Sequence, residues 1–429
     1  MKKCPHCNKK FESRDEYIRH VETAHDEKSH LSRRAALGTV GLAVVGAVGI
    51  GQAVSGPTLS SLTSANPTGI EDWDDLAKIG TDEAYPLDGE YVLETGLDEE
   101  TDGYSDHVDT ANGWDPIDEF TGSFDGQDHT IADLVTDHDD RTGVGLFGTE
   151  MAGTVTGVVL RSVDITGGDF TGSVVGEVTD GTVTECFVTG SVRGIDYTGG
   201  VFGECRNSTV TDVATAADVT GEKWVGGLVG RKEATAGENS TIQRVYTLGE
   251  IKGDEWVGGF IGRQESTGDD ATAMLDKCYT TGRAQADTEG TDGALCGEIF
   301  SEQENSTSTI DAYVDLDKRT AIGFGDIDTS GEGFISISEL GIITEDMQGE
   351  TPTPDGDDTM NRFDFGDDWT TVITDERINP RPLEDGYPIL RRINPQVQLE
   401  GQGVEFVTDA VRITGEDVTI TNTTVSGDD

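Results

Sequence analysis

What this 429-residue chain lacks most is positive charge. Lys and Arg total 30 against 83 Asp and Glu, a formal net charge of -53. The shortage is uneven. Residues 1–56 hold 9 bases and 6 acids, whereas residues 57–429 hold 21 and 77, and only six of those 21 bases are Lys. Such a body excludes nucleic acid and anionic lipid as partners of its bulk, because both carry its own sign. Aromatic residues make up only 7%, and no G-x-S-x-G, H-E-x-x-H or P-loop pattern occurs. The signatures of common hydrolases and nucleotidases are therefore missing. Acidity with few aromatics can signal disorder, but here the acids are interleaved with Val, Ile and Phe, and the 57 Gly recur at fixed spacing. The composition instead fits a haloarchaeal protein, whose carboxylate surface stays hydrated in molar salt. There a Debye length of roughly 3 Å removes most self-repulsion.

Cysteine is also scarce, with six in all, yet two of them open the chain in a specific pattern. Cys4-x2-Cys7-x12-His20-x4-His25 supplies two thiolates and two imidazoles for a closed tetrahedral zinc site. Phe11 and Tyr17 take the two apolar positions of the small core between them. These six positions resemble a C2H2 zinc finger, which implies a ββα fold over 1–27. Ser13, Glu16 and Arg19 would be its base-facing positions. One finger addresses only about 3 bp, so structural or protein-contact use is expected rather than DNA reading.

Long hydrophobic runs are absent except for one. Residues 35–54 carry no charge and follow Ser32-Arg33-Arg34, a pattern that resembles a twin-arginine export signal. The run is long enough to span a bilayer, and Ala53-Val54-Ser55 offers a small-residue cleavage site. Residues 28–56 are thus expected to be an export signal or a membrane-anchoring helix. Lys28, Arg33 and Arg34 would hold the N-terminus inside the cell. Residues 57–69 read as a linker.

The body is built on a repeat. "TGVGLFG" ends at Gly148, "TGSVVG" at Gly176, "TGGVFG" at Gly203, "VGGLVG" at Gly230, "VGGFIG" at Gly262 and a decayed "DGALCG" at Gly297, at spacings of 28, 27, 27, 32 and 35. Between copies run segments such as "GTVTECFVTGSVRG", with the alternation of half-buried strands. One residue before the final Gly stand Phe147, Val175, Phe202, Val229 and Ile261, an expected inward ladder. Six before it stand Phe170, Tyr197, Trp224 and Trp256, an expected aromatic ladder in which each ring packs against its aromatic neighbours. One rung cannot bury its own face, so rungs must stack. The expected fold is all-β, a right-handed parallel β-helix or β-solenoid.

These copies resemble the GLUG motif of archaeal and bacterial surface proteins. "IEDWDDLAKI" and "FTGSFDGQDHTIADL" are similar to the cap that precedes such arrays, while "FDFGDDW" and "YPIL" are similar to the segment that closes them. The resemblance implies a cap over 70–140, repeats over 141–325, an acidic connector and closing segment over 326–395, and a β-rich tail over 396–429. It implies no catalytic residue.

Other constellations are weaker. Asp328, Ser330, Glu332, Phe334 and Glu339 fit a twelve-residue calcium loop, but the Gly-rich "TAIGFGDI" ahead is no entering helix, and an acidic connector is the competing reading. His129 lies in a turn of the cap, and "TDHDDR" at 136–141 reads as a solvated loop. Asn207, Asn239, Asn305 and Asn422 open glycosylation sequons, which are also ordinary turn composition. Cys186, Cys205, Cys278 and Cys296 permit two disulfides outside the cell, but their repeat phases differ, and buried free thiols fit equally.

The combined expectation is an exported, non-enzymatic surface solenoid with zinc as cofactor and calcium as a second candidate. Its partners would be a surface glycan or envelope protein, and the membrane through 35–54 if that segment is retained. The rival readings are a secreted polysaccharide lyase or hydrolase and, more remotely, a cytoplasmic zinc-finger regulator. The zinc site is directly testable. A peptide of residues 1–28 should fold only with metal, because binding supplies its folding free energy. Circular dichroism showing equal order without zinc would contradict the assignment.

Overall fold

The computed structural model describes residues 67–315 apart from 304, parts of 317–402, and the short segments 2–3, 10–11 and 411–414. Residues 1–64 and 65–429 form two separate units. In the first, Lys2–Lys3 pairs antiparallel with Lys10–Phe11, a hairpin that brackets Cys4 and Cys7. The other positions assigned to the finger and the export signal lie outside the described residues. No described helix is long and apolar enough to cross a membrane.

The second unit is a parallel β-solenoid. Its broadest sheet stacks, in order, Thr68–Ile70, Glu90–Leu93, Ser123–Asp125, Thr154–Thr156, Thr182–Arg193, Thr209–Thr220, Asn239–Thr247, Thr272–Thr280, Thr307–Asp315 and Phe334–Ile342. A second sheet stacks Val175–Thr179, Phe202–Arg206, Val229–Ala234, Ile261–Ser266, Cys296–Ser301 and Phe324–Asp328. A third, short one holds Lys223–Gly226, Glu255–Gly258 and Asp292–Gly293. The repeat spacing is the rung length. Val175 pairs with Phe202, Phe202 with Val229, Val229 with Ile261 and Ile261 with Cys296. The longer fourth rung takes up its extra residues at the corner after Ala234, because Glu233 still pairs with Arg206 and Thr241 still pairs with Thr209.

Phe147, Val175, Phe202, Val229 and Ile261 are all fully buried, as the inward ladder requires. The ladder runs further than the repeats suggest. Cys296 pairs with Phe324, so "TAIGFG" ending at Gly325 is another copy, and Phe334–Ile342 adds one more strand to the broad sheet. The solenoid therefore extends to 342 instead of stopping at 325. The segment assigned as a cap is likewise part of the stack. Thr68–Ile70, Glu90–Leu93 and Ser123–Asp125 pair in parallel with one another and with Thr154–Thr156. A short helix, Trp73–Lys78, begins after Asp72, whose carboxylate accepts from the Asp75 N–H at 2.8 Å, and buries Trp73 and Leu76.

The final Gly of each repeat is not left-handed; the aromatic residue six positions earlier is. Phe170, Tyr197, Trp224 and Trp256 have φ of 56°, 57°, 52° and 55°, a region costing roughly 1–2 kcal/mol for a residue with a Cβ. The final Gly packs against that corner on the rung below. A Cβ on Gly230 would lie 2.1 Å from the Tyr197 carbonyl carbon, and one on Gly262 at 2.1 Å from that of Trp224.

The closing segment covers a side of the solenoid. Trp369–Thr374 pairs antiparallel with Gly386–Leu390 and Val411–Thr414. On the outer surface of the broad sheet, Val159, Phe187, Ala214, Tyr246, Tyr279 and Tyr313 share one column. Met360, Phe363, Trp369 and Tyr387 pack against it. Tyr246 donates to Gln398 Oε1 at 3.0 Å, Tyr279 to the Pro388 carbonyl at 2.7 Å, and Tyr387 to Asp315 Oδ2 at 2.5 Å.

Replacing Gly230 with Ala should destabilise the solenoid by about 1–3 kcal/mol, the usual cost of overpacking, because backbone and not a movable side chain opposes the new methyl. Urea denaturation checks this, and an unchanged stability in Gly230→Ala would show that close approach is not the reason for the glycine.

Candidate functional site

The aromatic ladder exists as a stack. Ring centroids are 4.9 Å apart for Phe170–Tyr197, 4.6 Å for Tyr197–Trp224 and 5.0 Å for Trp224–Trp256, with planes within 7° of parallel. Rings in equivalent places on strands about 4.8 Å apart can only meet this way. All four are partly exposed, on an outer corner. Their left-handed backbone turns each side chain out of the core, which the inward ladder already fills.

Beside the rings runs a column of charge. Glu177, Glu204, Arg231, Arg263, Glu298 and Asp326 occupy equivalent outward positions on six rungs, and Arg206, Glu233 and Glu265 stand two residues further along. Arg231 lies 2.9 Å from Glu204 and from Glu265, and 3.2 Å from Glu233. Arg206 reaches Glu233 at 2.7 Å and Glu204 at 2.9 Å, while Arg263 reaches Glu265 at 2.9 Å and Glu298 at 3.3 Å. Burial pushes the Glu204 and Glu298 carboxyls above their ordinary range, against the pull of the arginines and, at Glu298, of the Trp224 indole N–H at 2.8 Å. The guanidinium of Arg231 lies 5.8 Å from the Tyr197 ring and that of Arg263 5.5 Å from the Trp224 ring.

This geometry limits what the flank can do. Between Phe170 and Trp256 each ring covers its neighbour's face, so a sugar ring cannot insert within the stack. Glu204, Glu233, Glu265 and Glu298 each face an arginine. A carboxylate pair working as acid and base would first have to release those guanidinium groups. The flank is thus built of stacked rings and paired ions.

The remaining candidate residues are scattered. Asp328 ends one strand, while Phe334 and Glu339 stand in the next; Ser330 and Glu332 lie outside the described residues. The twelve residues therefore cross a corner between strands, with no flanking helices of the kind a calcium loop joins. Asn207 is held in a turn by Thr235, its amide donating to Oγ1 at 2.9 Å. Asn305 donates to Asp270 at 2.7 Å, Asn239 is exposed at the start of its strand, and Asn422 lies outside the described residues. Cys186, Cys205, Cys278 and Cys296 are buried free thiols, so neither disulfide is formed. Among the described residues no three His, Cys, Asp or Glu converge as a metal site.

Two features escaped the sequence. An open depression of about 580 Å³ near the first rungs is lined by Leu87, His107, Trp114, Asp115, Asp118 and Glu119, among others. His107 is held there by Asp74 at 2.8 Å, and Arg141 pairs with Asp115 and with Asp118. Inside the solenoid, Lys232 is fully buried, and its ammonium donates to the Ser240 carbonyl at 2.7 Å. Only the alternation of "RKEA" against the rung below would have placed a lysine inward.

Truncating Trp224 to Ala removes two ring contacts of about 0.5–1.5 kcal/mol each, so the loss should be roughly 1–3 kcal/mol. Rungs couple mainly to their neighbours. Hydrogen exchange should therefore speed up around residues 195–262 and stay unchanged near residues 68–93. Unchanged exchange throughout would contradict a structural role for the stack.

Comparison with known proteins gives one partial match. Halomucin of Haloquadratum walsbyi is 41% identical over 85 residues, which is 20% of this chain and 1% of halomucin. The chain thus spans a small fraction of that protein's length. No family model matches the chain, and no solved structure matches it.

Proposed function

We propose that this protein is an exported, non-enzymatic surface solenoid of a halophile that serves adhesion or cell-envelope contact. The carrying observation is the flank of stacked rings and paired ions, which has the character of a scaffold repeated rung by rung. The partial likeness to halomucin supports a halophilic surface setting, and so does the charge of -53. The GLUG resemblance agrees with it. A folded body this acidic stays soluble in molar salt, where screening is nearly complete. In this reading the N-terminal finger binds zinc through Cys4, Cys7, His20 and His25 and stays inside the cell. The hairpin of Lys2–Lys3 with Lys10–Phe11 supports that assignment. Residues 35–54 then carry the body across the membrane. The partner is a surface glycan or envelope protein, met by the acidic exterior.

A second reading, a polysaccharide-active enzyme, draws on the depression beside Trp114, where apolar and carboxylate groups meet. Turnover of neutral or acidic polysaccharide that disappears in Asp118→Asn would favour it over the scaffold.

Export is tested on intact cells. Replacing both Arg33 and Arg34 with Lys should leave the body protected from external protease, because a twin-arginine receptor reads the pair and not its charge alone. Normal exposure of the body in the double variant would overturn the twin-arginine route.

A further inference from the structure

The interior of the solenoid holds one group that packing does not explain. Along the second sheet the inward column reads Val178, Cys205, Lys232, Gln264 and Ile299 on successive rungs. A lysine in such a column is costly, since burial opposes its charged form. Among the described residues no carboxylate is paired with Lys232. Its amine nitrogen donates to the Ser240 carbonyl at 2.7 Å, and the titratable groups around it are the thiols of Cys205, Cys296 and Cys278. Cys205 is its direct neighbour on the rung below, and both are fully buried. Ser240 touches both residues, because its hydroxyl also donates to the Cys205 carbonyl at 3.4 Å. The next residue in the column, Gln264, leaves its Oε1 without a hydrogen bond.

We propose that Cys205 and Lys232 form an oxidative cross-link, a nitrogen–oxygen–sulfur bridge between adjacent rungs. Dioxygen is the oxidant. One of its atoms is inserted between Nζ and Sγ, and the other leaves as water with one hydrogen from the amine and one from the thiol. The step needs an uncharged amine with a free lone pair. Burial supplies it by holding the Lys232 pKa down at about 7, while it pushes the Cys205 thiol up to about 11. Dioxygen is small and apolar, so it can enter a core closed to water and to ionic oxidants. The bridge would replace a buried amine by a neutral linkage and tie two rungs covalently.

The test is peptide mass analysis of the full-length protein, denatured in alkylating agent without reductant. In protein held in air, the peptides containing Cys205 and Lys232 should be recovered linked, heavier than their sum by one oxygen less two hydrogens. Thiol reductant should separate them, and protein made and held without dioxygen should yield them unlinked. Cys205→Ala should lose the linked species. The wild-type protein alone also gives a second readout: its thermal midpoint should fall on adding reductant. Full alkylation of Cys205 with a free Lys232 after aeration would overturn the proposal. So would a disulfide from Cys205 to another cysteine, or oxygen added to Cys205 alone.

Discussion

The solenoid depends on one recurring contact, the final glycine of a repeat pressed against the corner of the rung below, which from Gly203 to Gly297 is a left-handed aromatic residue. Gly203 meets Phe170 in this way, Gly230 meets Tyr197, Gly262 meets Trp224 and Gly297 meets Trp256. The corner bends the chain sharply enough to send the aromatic side chain outward while the residues after it return to the core. The backbone cost of that corner, roughly 1–2 kcal/mol per residue, is offset by the stacking of each ring on the next. Over these four rungs glycine and aromatic are therefore a single device shared between neighbours, while at Gly176 and Gly325 the glycine meets the backbone of Gly143 and Thr291 instead.

From that corner the two sides of each strand follow. Residues one before the glycine point inward and make the core, and residues one after it point outward and make the column of Glu and Arg. In a chain with so few bases, Arg206, Arg231 and Arg263 are concentrated on this flank, where they divide the carboxylates of neighbouring rungs. Exposed pairs of this kind add little singly, but partly buried and arranged as a network they offset the like charges that the register sets side by side, Glu177 with Glu204, Arg231 with Arg263 and Glu233 with Glu265. The opposite flank is handled by apolar cover: Tyr246, Tyr279 and Tyr313 lie beneath Trp369 and Phe363.

The repeat, its spacing and the inward ladder from Phe147 to Ile261 were legible in the sequence because period and burial are written in the same letters. The aromatic column was legible too, but not its exposure. A recurring ring looks alike in sequence whether it faces a core or a neighbouring ring at a corner. The rung ending at Gly325 was missed because its glycines were weighed against a calcium-loop helix and not against the repeat. The tyrosine column could not be read as buried, since its cover comes from Phe363, Trp369 and Tyr387, in a separate segment further along the chain. Lys232 was hidden by its charge, which marks an outward residue almost everywhere else in this protein.

The most direct measurement of the account is a double-mutant cycle on Tyr197 and Trp224, each replaced by Ala singly and together, followed by urea denaturation in molar salt. If the rings stabilise one another across rungs, their coupling should be about 0.5–1.5 kcal/mol. Additive losses, with no coupling between the two positions, would contradict the stacked corner as the constraint on which the solenoid is built.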